Sequence, residues 1–253
     1  MLLAVDVGNT QTVLGLFEGS MLRCSWRIES DSCETVSVME GLLSDLLSSQ
    51  SLYWRDIDAL VLASVIPAQR LLWSRFALDC LNMEALVVDE SCLEGLLEVQ
   101  AQGAGADRLA NAVAASCIYG SPVIVVDMGT ATDFEVVSAE GVFLGGAIAA
   151  GVKTSIRSLN SQTALLPEAD LHVPGKAIGA NTADAIKVGV VLGEVDRIDG
   201  LVRRMWNQLG YETPVVATGG LSGAVGCLCS CVTVINPDLT LQGLRLIYEH
   251  AAR

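Results

Sequence analysis

A chain of 253 residues can build one large α/β unit or two domains. With 51% hydrophobic and 17% charged residues it belongs among folded globular proteins, which argues against a disordered chain. A net charge of −14 with only 15 Lys and Arg argues against a nucleic-acid surface, which needs clustered basic residues to displace counterions.

In chain order, LLAVDVG, TVLGLFEG and LRCSWRI read as three strands joined by glycine-containing turns. TVSVMEGLLSDLLSSQ carries apolar residues at helical spacing, and DALVLASVIP is a buried strand closed by proline. AQRLLWSRFALDCL follows as an amphipathic helix and EALVVD as a short strand. GADRLANAVAASCIYG is a helix with an acidic start and a glycine stop. The opening plan then returns, with PVIVVDMG, TDFEVVSAEG and VFLGGAIAAG as three more strands. GVKTSIRSLNSQTALL reads as a helix, and TADAIKVGVVLGEVDRIDGLVRRMWNQLG as a long helical tract with internal glycines. PVVATGG and CVTVINP are strands, and LTLQGLRLIYEHAA is a closing helix.

The N-terminus lacks a basic leader and Asp6 cuts its apolar run, so no signal peptide is expected. GVFLGGAIAAGV is too short and too rich in glycine to span a membrane. The cysteines form no C-x-x-C pair, so buried reduced thiols in a cytoplasmic protein are expected rather than zinc. Alternation in CLCSC would set Cys227, Cys229 and Cys231 on one face of an extended segment.

Asp6 and Asp127 each end an apolar strand before a glycine turn, about half a chain length apart. That repetition predicts two related domains, 1–103 and 104–253, packed with a cleft between them. In D-V-G-N-T-Q-T and D-M-G-T-A-T, glycine and small hydroxyl residues let backbone N–H groups approach phosphate oxygens. The preceding acid can hold a cation, or a cation's water, against them. A single such turn reads better as an Asp capping its own backbone; the pair favours a phosphate clamp. In G-A-G-A-D-R, Asp107 is either a helix cap with Arg108 solvated, or a carboxylate taking a proton from an attacking hydroxyl. A-T-G-G at 217–220 is a strand-to-helix turn where a nucleotide could lie, and Lys153, Lys176 and His172 are lone candidates without a visible partner.

The paired hairpins resemble those of the acetate kinase, sugar kinase, Hsp70 and actin superfamily. Within it, the ordered set DVGNT, GADR with NAVAA, DMGTAT, GGAIAAG, IGANTADAI, ATGG and NPDLTLQGL is similar to type III pantothenate kinase, from Asp6 to about Tyr248. The resemblance implies duplicated ribonuclease H-like (actin-like ATPase) halves, each a mixed sheet with flanking helices. It implies phosphorylation of pantothenate by ATP with Mg2+ and a monovalent cation, K+ or NH4+, in a cytoplasmic homodimer. Carried over, Asp6, Val7, Gly8, Asn9, Thr10, Gln11, Thr12 and Val13 would hold the ATP phosphates and Thr130 would touch ATP. Asp127 would bind the monovalent cation. Gly105, Ala106, Asp107 and Arg108 would line the pantothenate site with Asp107 as the base, and Thr182 would contact the substrate.

Three stretches depart from the family pattern. Glu98-Val99-Gln100-Ala101 stands where Tyr-Asp-Asn-Pro is usual, Asp133-Phe134-Glu135 replaces Thr-x-Asp, and Ala150 replaces a proline. Loss of an aromatic wall beside an anionic vitamin should weaken its binding. Two rival readings therefore stand beside the kinase: a nucleotide-binding or regulatory paralogue without efficient turnover, and a kinase for another small hydroxylated acid or sugar.

Overall fold

The computed structural model describes residues 1–162 and 173–252. It forms two compact units, Met1–Ala114 with Leu239–Arg253, and Ala115–Asp238. A cut at 103/104 follows chain order, whereas packing returns the last helix to the first unit.

In the first unit β1 (Leu2–Val7), β2 (Gln11–Glu18) and β3 (Met21–Glu29) form an antiparallel meander. Helix α1 (Val36–Ser49), strand β4 (Ala59–Ser64), helix α2 (Pro67–Leu81) and strand β5 (Leu86–Val87) follow, with β4 and β5 parallel to β1. The sheet order is β3-β2-β1-β4-β5. A two-residue strand, β6 (Glu98–Val99), then leads to α3 (Ala106–Tyr119).

The helices form where caps and spacing allow. Thr35 accepts the N–H of Val38 at 3.3 Å and starts α1, whose Met39, Leu43 and Leu47 recur on one buried stripe. Pro67 opens α2 in the first turn, where its missing N–H costs nothing, and Asn82 stops it at φ 54°. Both helices cover the sheet face carrying Leu3, Val5 and Val7, together with Trp73 and Phe76. Burying each of these large side chains contributes about 1.5–3 kcal/mol. Strand alternation sends Leu2, Ala4 and Asp6 to the opposite face, so the acid does not enter this apolar cluster.

The second unit repeats the design. Its meander is β7 (Val123–Met128), β8 (Ala131–Val137) and β9 (Val142–Ala150), followed by α4 (Val152–Gln162). Helix α5 (Thr182–Lys187) runs through a π-helical turn, Val188–Leu192, into α6 (Gly193–Leu209). Strand β10 (Val215–Thr218), the short helix α7 (Ser222–Val225) and strand β11 (Val234–Ile235) complete it, with β10 parallel to both β7 and β11. Within the unit the order β9-β8-β7-β10-β11 matches that of the first sheet. Register matches as well: Asp6 pairs with Val13 and Ala63, and Asp127 with Asp133 and Thr218. Even the bulges correspond, at Leu16/Phe17 and Val136/Val137. Ile124, Val126 and Met128 enter the core with Ile198, Val202 and Val225, leaving Asp127 on the other face.

The last helix, α8 (Leu239–Ala251), lies in the first unit. A Cβ at Gly15 would come within 2.8 Å of Leu241, and Thr240 donates to Asn111 Oδ1 at 2.8 Å. No described helix is long and apolar enough to cross a membrane.

The CLCSC stretch is not extended throughout. Gly226–Leu228 is a 3-10 turn that leaves Cys227 exposed while Cys229 and Cys231 are buried. All eight cysteines are free thiols. Burial, with Asp199 nearby, pushes Cys229 up to about 12 and raises Cys231 as well, so both stay protonated and unreactive at neutral pH. The extended half is gripped by Asp199 of α6, whose carboxylate accepts from Ser230 N at 3.0 Å, Ser230 Oγ at 2.5 Å and Cys231 N at 3.0 Å.

Burial alone would raise the Asp199 pKa, but these hydrogen bonds outweigh it and hold the carboxyl below the 3.8 of a free aspartate. Its stabilising contribution is therefore complete above about pH 4 and is lost as pH falls through the lower folded value. Asp199→Ala should cost about 2–3 kcal/mol at pH 7, with the gap to wild type narrowing below about pH 4. Urea denaturation of both proteins across pH 3–7 measures it; a gap that does not change with pH would reject the assignment.

Candidate active site

In the first unit, the residues from Asp6 to Val13 span the β1–β2 turn. Gly8 N donates to Gln11 O at 3.1 Å, closing it, and Asn9 is exposed at the tip. Asp6 is half-buried at the end of β1, Val7 is buried, and Gln11 donates from Nε2 to Glu29 Oε1 at 3.3 Å. Ser30 holds the turn from beneath. Its hydroxyl donates to Gly8 O at 2.7 Å, lies 3.0 Å from the buried Thr12 hydroxyl, and its N–H reaches Thr10 O at 2.9 Å.

Gly105, Ala106, Asp107 and Arg108 form the start of α3. Leu109 N donates to Gly105 O at 3.0 Å, and Asp107 Oδ1 accepts the N–H of Arg108 at 2.8 Å. A Cβ at Gly105 would sit 3.2 Å from Val65, the residue just beyond β4. Since Ser64 pairs with Val7, this loop and the β1–β2 turn share the C-terminal end of the parallel strands β1 and β4. Ligands of open α/β sheets bind at that end.

In the second unit, Gly129 N donates to Ala131 O at 2.8 Å and Thr130 is exposed at the tip. Thr130 O accepts from Gly151 N at 3.1 Å and from Thr154 Oγ1 at 2.6 Å. The approach is close: a Cβ on Gly151 would lie 2.5 Å from Gly129 O. Asp127 is half-buried, and its Oδ1 rests where a Cβ on Gly219 would be. The A-T-G-G turn after β10 thus lies against the cation-binding candidate. Thr182, the first residue of α5, is exposed behind its cap Asn181, which accepts the N–H of Asp184 at 2.9 Å. Lys153 and Lys176 are exposed, whereas His172 lies outside the described residues.

Sequence reasoning passed over three contributors. Ser30 carries no local signal beyond its residue type. Glu194 and Arg197 do carry one, because a buried acid stands on the apolar stripe of Val191, Ile198 and Val202. Thr132 donates its hydroxyl to Glu194 Oε1 at 2.5 Å, Glu194 pairs with Arg197, and Arg197 donates to Ala150 O at 2.8 Å. Desolvation raises the Glu194 pKa against the opposing effects of Thr132 and Arg197.

Among the described residues no three His, Cys, Asp or Glu side chains gather into a metal-sized cluster. Residues 2–204 match the family model of type III pantothenate kinase. The chain belongs to that family.

Members of the family resemble it over nearly full length. The type III pantothenate kinase of Moorella thermoacetica is 39% identical over 251 residues, covering 98% of this chain and 99% of that one. That of Rubrobacter xylanophilus is 41% identical over 256 residues, covering 98% and 97%. Solved structures share the fold at low identity. ROK hexokinase from Thermus thermophilus has a TM-score of 0.54 at 12% identity, covering 99% of each chain. Component A of the Acidaminococcus fermentans (R)-2-hydroxyglutaryl-CoA dehydratase has 0.53 at 16% identity, covering 100% of this chain and 99% of that one. The duplicated actin-like architecture expected of the family is therefore present.

Proposed function

We propose that this family member transfers the γ-phosphoryl group of ATP to the primary hydroxyl of pantothenate, giving 4′-phosphopantothenate on the route to coenzyme A. The observation that carries the reading is the matched pair of acid-bearing glycine turns, set at the same strand register in the two units. In this reading the backbone from Asp6 to Val13 holds the phosphates and Thr130 touches the nucleotide. Asp127 takes the monovalent cation, and Mg2+ arrives with ATP to offset the charge on its phosphates.

Gly105 through Arg108, with Thr182, receive pantothenate. Asp107 accepts the hydroxyl proton as that oxygen bonds to the γ-phosphorus, the bond to the bridging oxygen breaks, and ADP leaves. Such a transfer needs chiefly positioning and charge stabilisation, so a sparse set of residues suffices. A cytoplasmic homodimer belongs to the same reading.

A coupled assay of ADP release, with and without pantothenate, tests it. Release should require pantothenate and run about tenfold slower when sodium replaces potassium or ammonium. The changed Glu98–Ala101 stretch, where Glu98 and Gln100 are exposed, motivates the rival readings. Nucleotide binding without turnover would favour the regulatory paralogue, and turnover only with another acid or sugar in an acceptor panel would favour the third reading.

A further inference from the structure

The two turns are built alike but held differently. Thr12 and Thr132 are equivalent, each pairing with the last residue of the preceding strand, Val7 and Met128. Both hydroxyls are buried. In the first unit the partner is the neutral Ser30, itself bonded to Gly8 O. In the second it is Glu194, only 4% exposed and clamped by Arg197.

A buried ion pair is a poor source of stability, because well-packed apolar side chains of similar volume often serve as well or better. Its geometry supplies another reason for being there. Glu194 fixes the β8 side of the turn through Thr132, and Arg197 fixes the β9 end through Ala150 O. Between them, Gly151 N and Thr154 Oγ1 hold Thr130 O. Glu194 lies at the start of α6, directly after the π-helical turn Val188–Leu192 that departs from regular helical pitch.

We infer that Glu194, braced by Arg197, is a positioning residue for the phosphate turn of the second unit: it holds Thr132 and so sets the approach of Thr130 and Gly129 to nucleotide. The inference rests on the ATP-dependent reading above, but nucleotide binding tests it without any turnover.

The experiment compares wild type with Glu194→Leu, Glu194→Gln, Thr132→Val and the double variant Glu194→Leu/Thr132→Val. Calorimetry with ADP and the ADP-release assay supply the readouts. Thr132→Val keeps the volume and removes only the hydroxyl, so it serves if Glu194→Leu fails to fold. Thr132→Val and Glu194→Leu should each weaken ADP binding about tenfold and lower kcat about tenfold or more, with KM for pantothenate changed less than about twofold. Glu194→Gln, which still accepts from Thr132, should recover to within about threefold of wild type. The double variant should be no worse than either single one, because both remove the same link.

Wild-type ADP affinity and kcat in Thr132→Val would overturn the inference, as would a fully additive double variant. If wild type binds ADP but does not phosphorylate pantothenate, the substrate reading fails and the affinities still decide the role of Glu194. If wild type binds no nucleotide, both readings fall.

Discussion

Asp107→Asn should cut pantothenate-dependent ADP release by about a thousandfold while nucleotide affinity stays within about twofold of wild type. The substitution is mild in structure. Asn keeps an Oδ1 that can accept the N–H of Arg108, the 2.8 Å bond that seats the side chain at the start of α3. What it loses is the ability to take a proton from the attacking hydroxyl. General base catalysis contributes about 10²–10⁴-fold, which sets the size of the expected loss. Calorimetry with ADP separates this from a collapsed site. A variant retaining wild-type kcat would leave Asp107 as a helix cap and nothing more.

Gly219→Ala should damage both stability and activity. Gly219 sits at φ +86°, a region in which a side chain is strained by about 1–3 kcal/mol. Its new methyl group would also overlap Asp127 Oδ1 and lie 2.7 Å from Met128 N and 2.8 Å from Met128 C. The last two are backbone atoms of β7 and cannot swing aside. A loss of about 3 kcal/mol in unfolding free energy is expected, with a fall of about a hundredfold in kcat as Asp127 is displaced. Gly223→Ala in α7 is the matched control, since a Cβ there meets nothing within 4 Å. Urea denaturation and potassium titration of both variants check the pair; equal behaviour would mean that the A-T-G-G turn does not buttress Asp127.

Much of the architecture was open to reading because strands with glycine turns leave local marks. LLAVDV and VIVVDM are near-continuous apolar runs, as expected of central strands covered on both faces, and each ends at an acid before glycine. What no local pattern specifies is the partner. Ser30 reaches Gly8 across the meander, and Glu194 reaches Thr132 across 62 positions of sequence. The mistaken expectation for CLCSC has the same origin. Alternation treats the segment as a strand, while Gly226 turns it and Asp199, far away on α6, anchors only its second half. The buried acid at Glu194 was nonetheless visible as a charge on an apolar helical stripe. A long helical tract with internal glycines offers several plausible faces, so the stripe alone does not single it out.

The return of α8 to the first unit has a consequence for synthesis. While the nascent chain is still emerging, β1 through β5 lack the helix that brings Leu241 against β2 and Thr240 onto Asn111. That side of the sheet stays uncovered until residues beyond Leu239 leave the ribosome. The amino-terminal unit, though made first, is therefore completed only after the whole Ala115–Asp238 unit has been translated, so its closing contacts join the two ends of the chain in sequence.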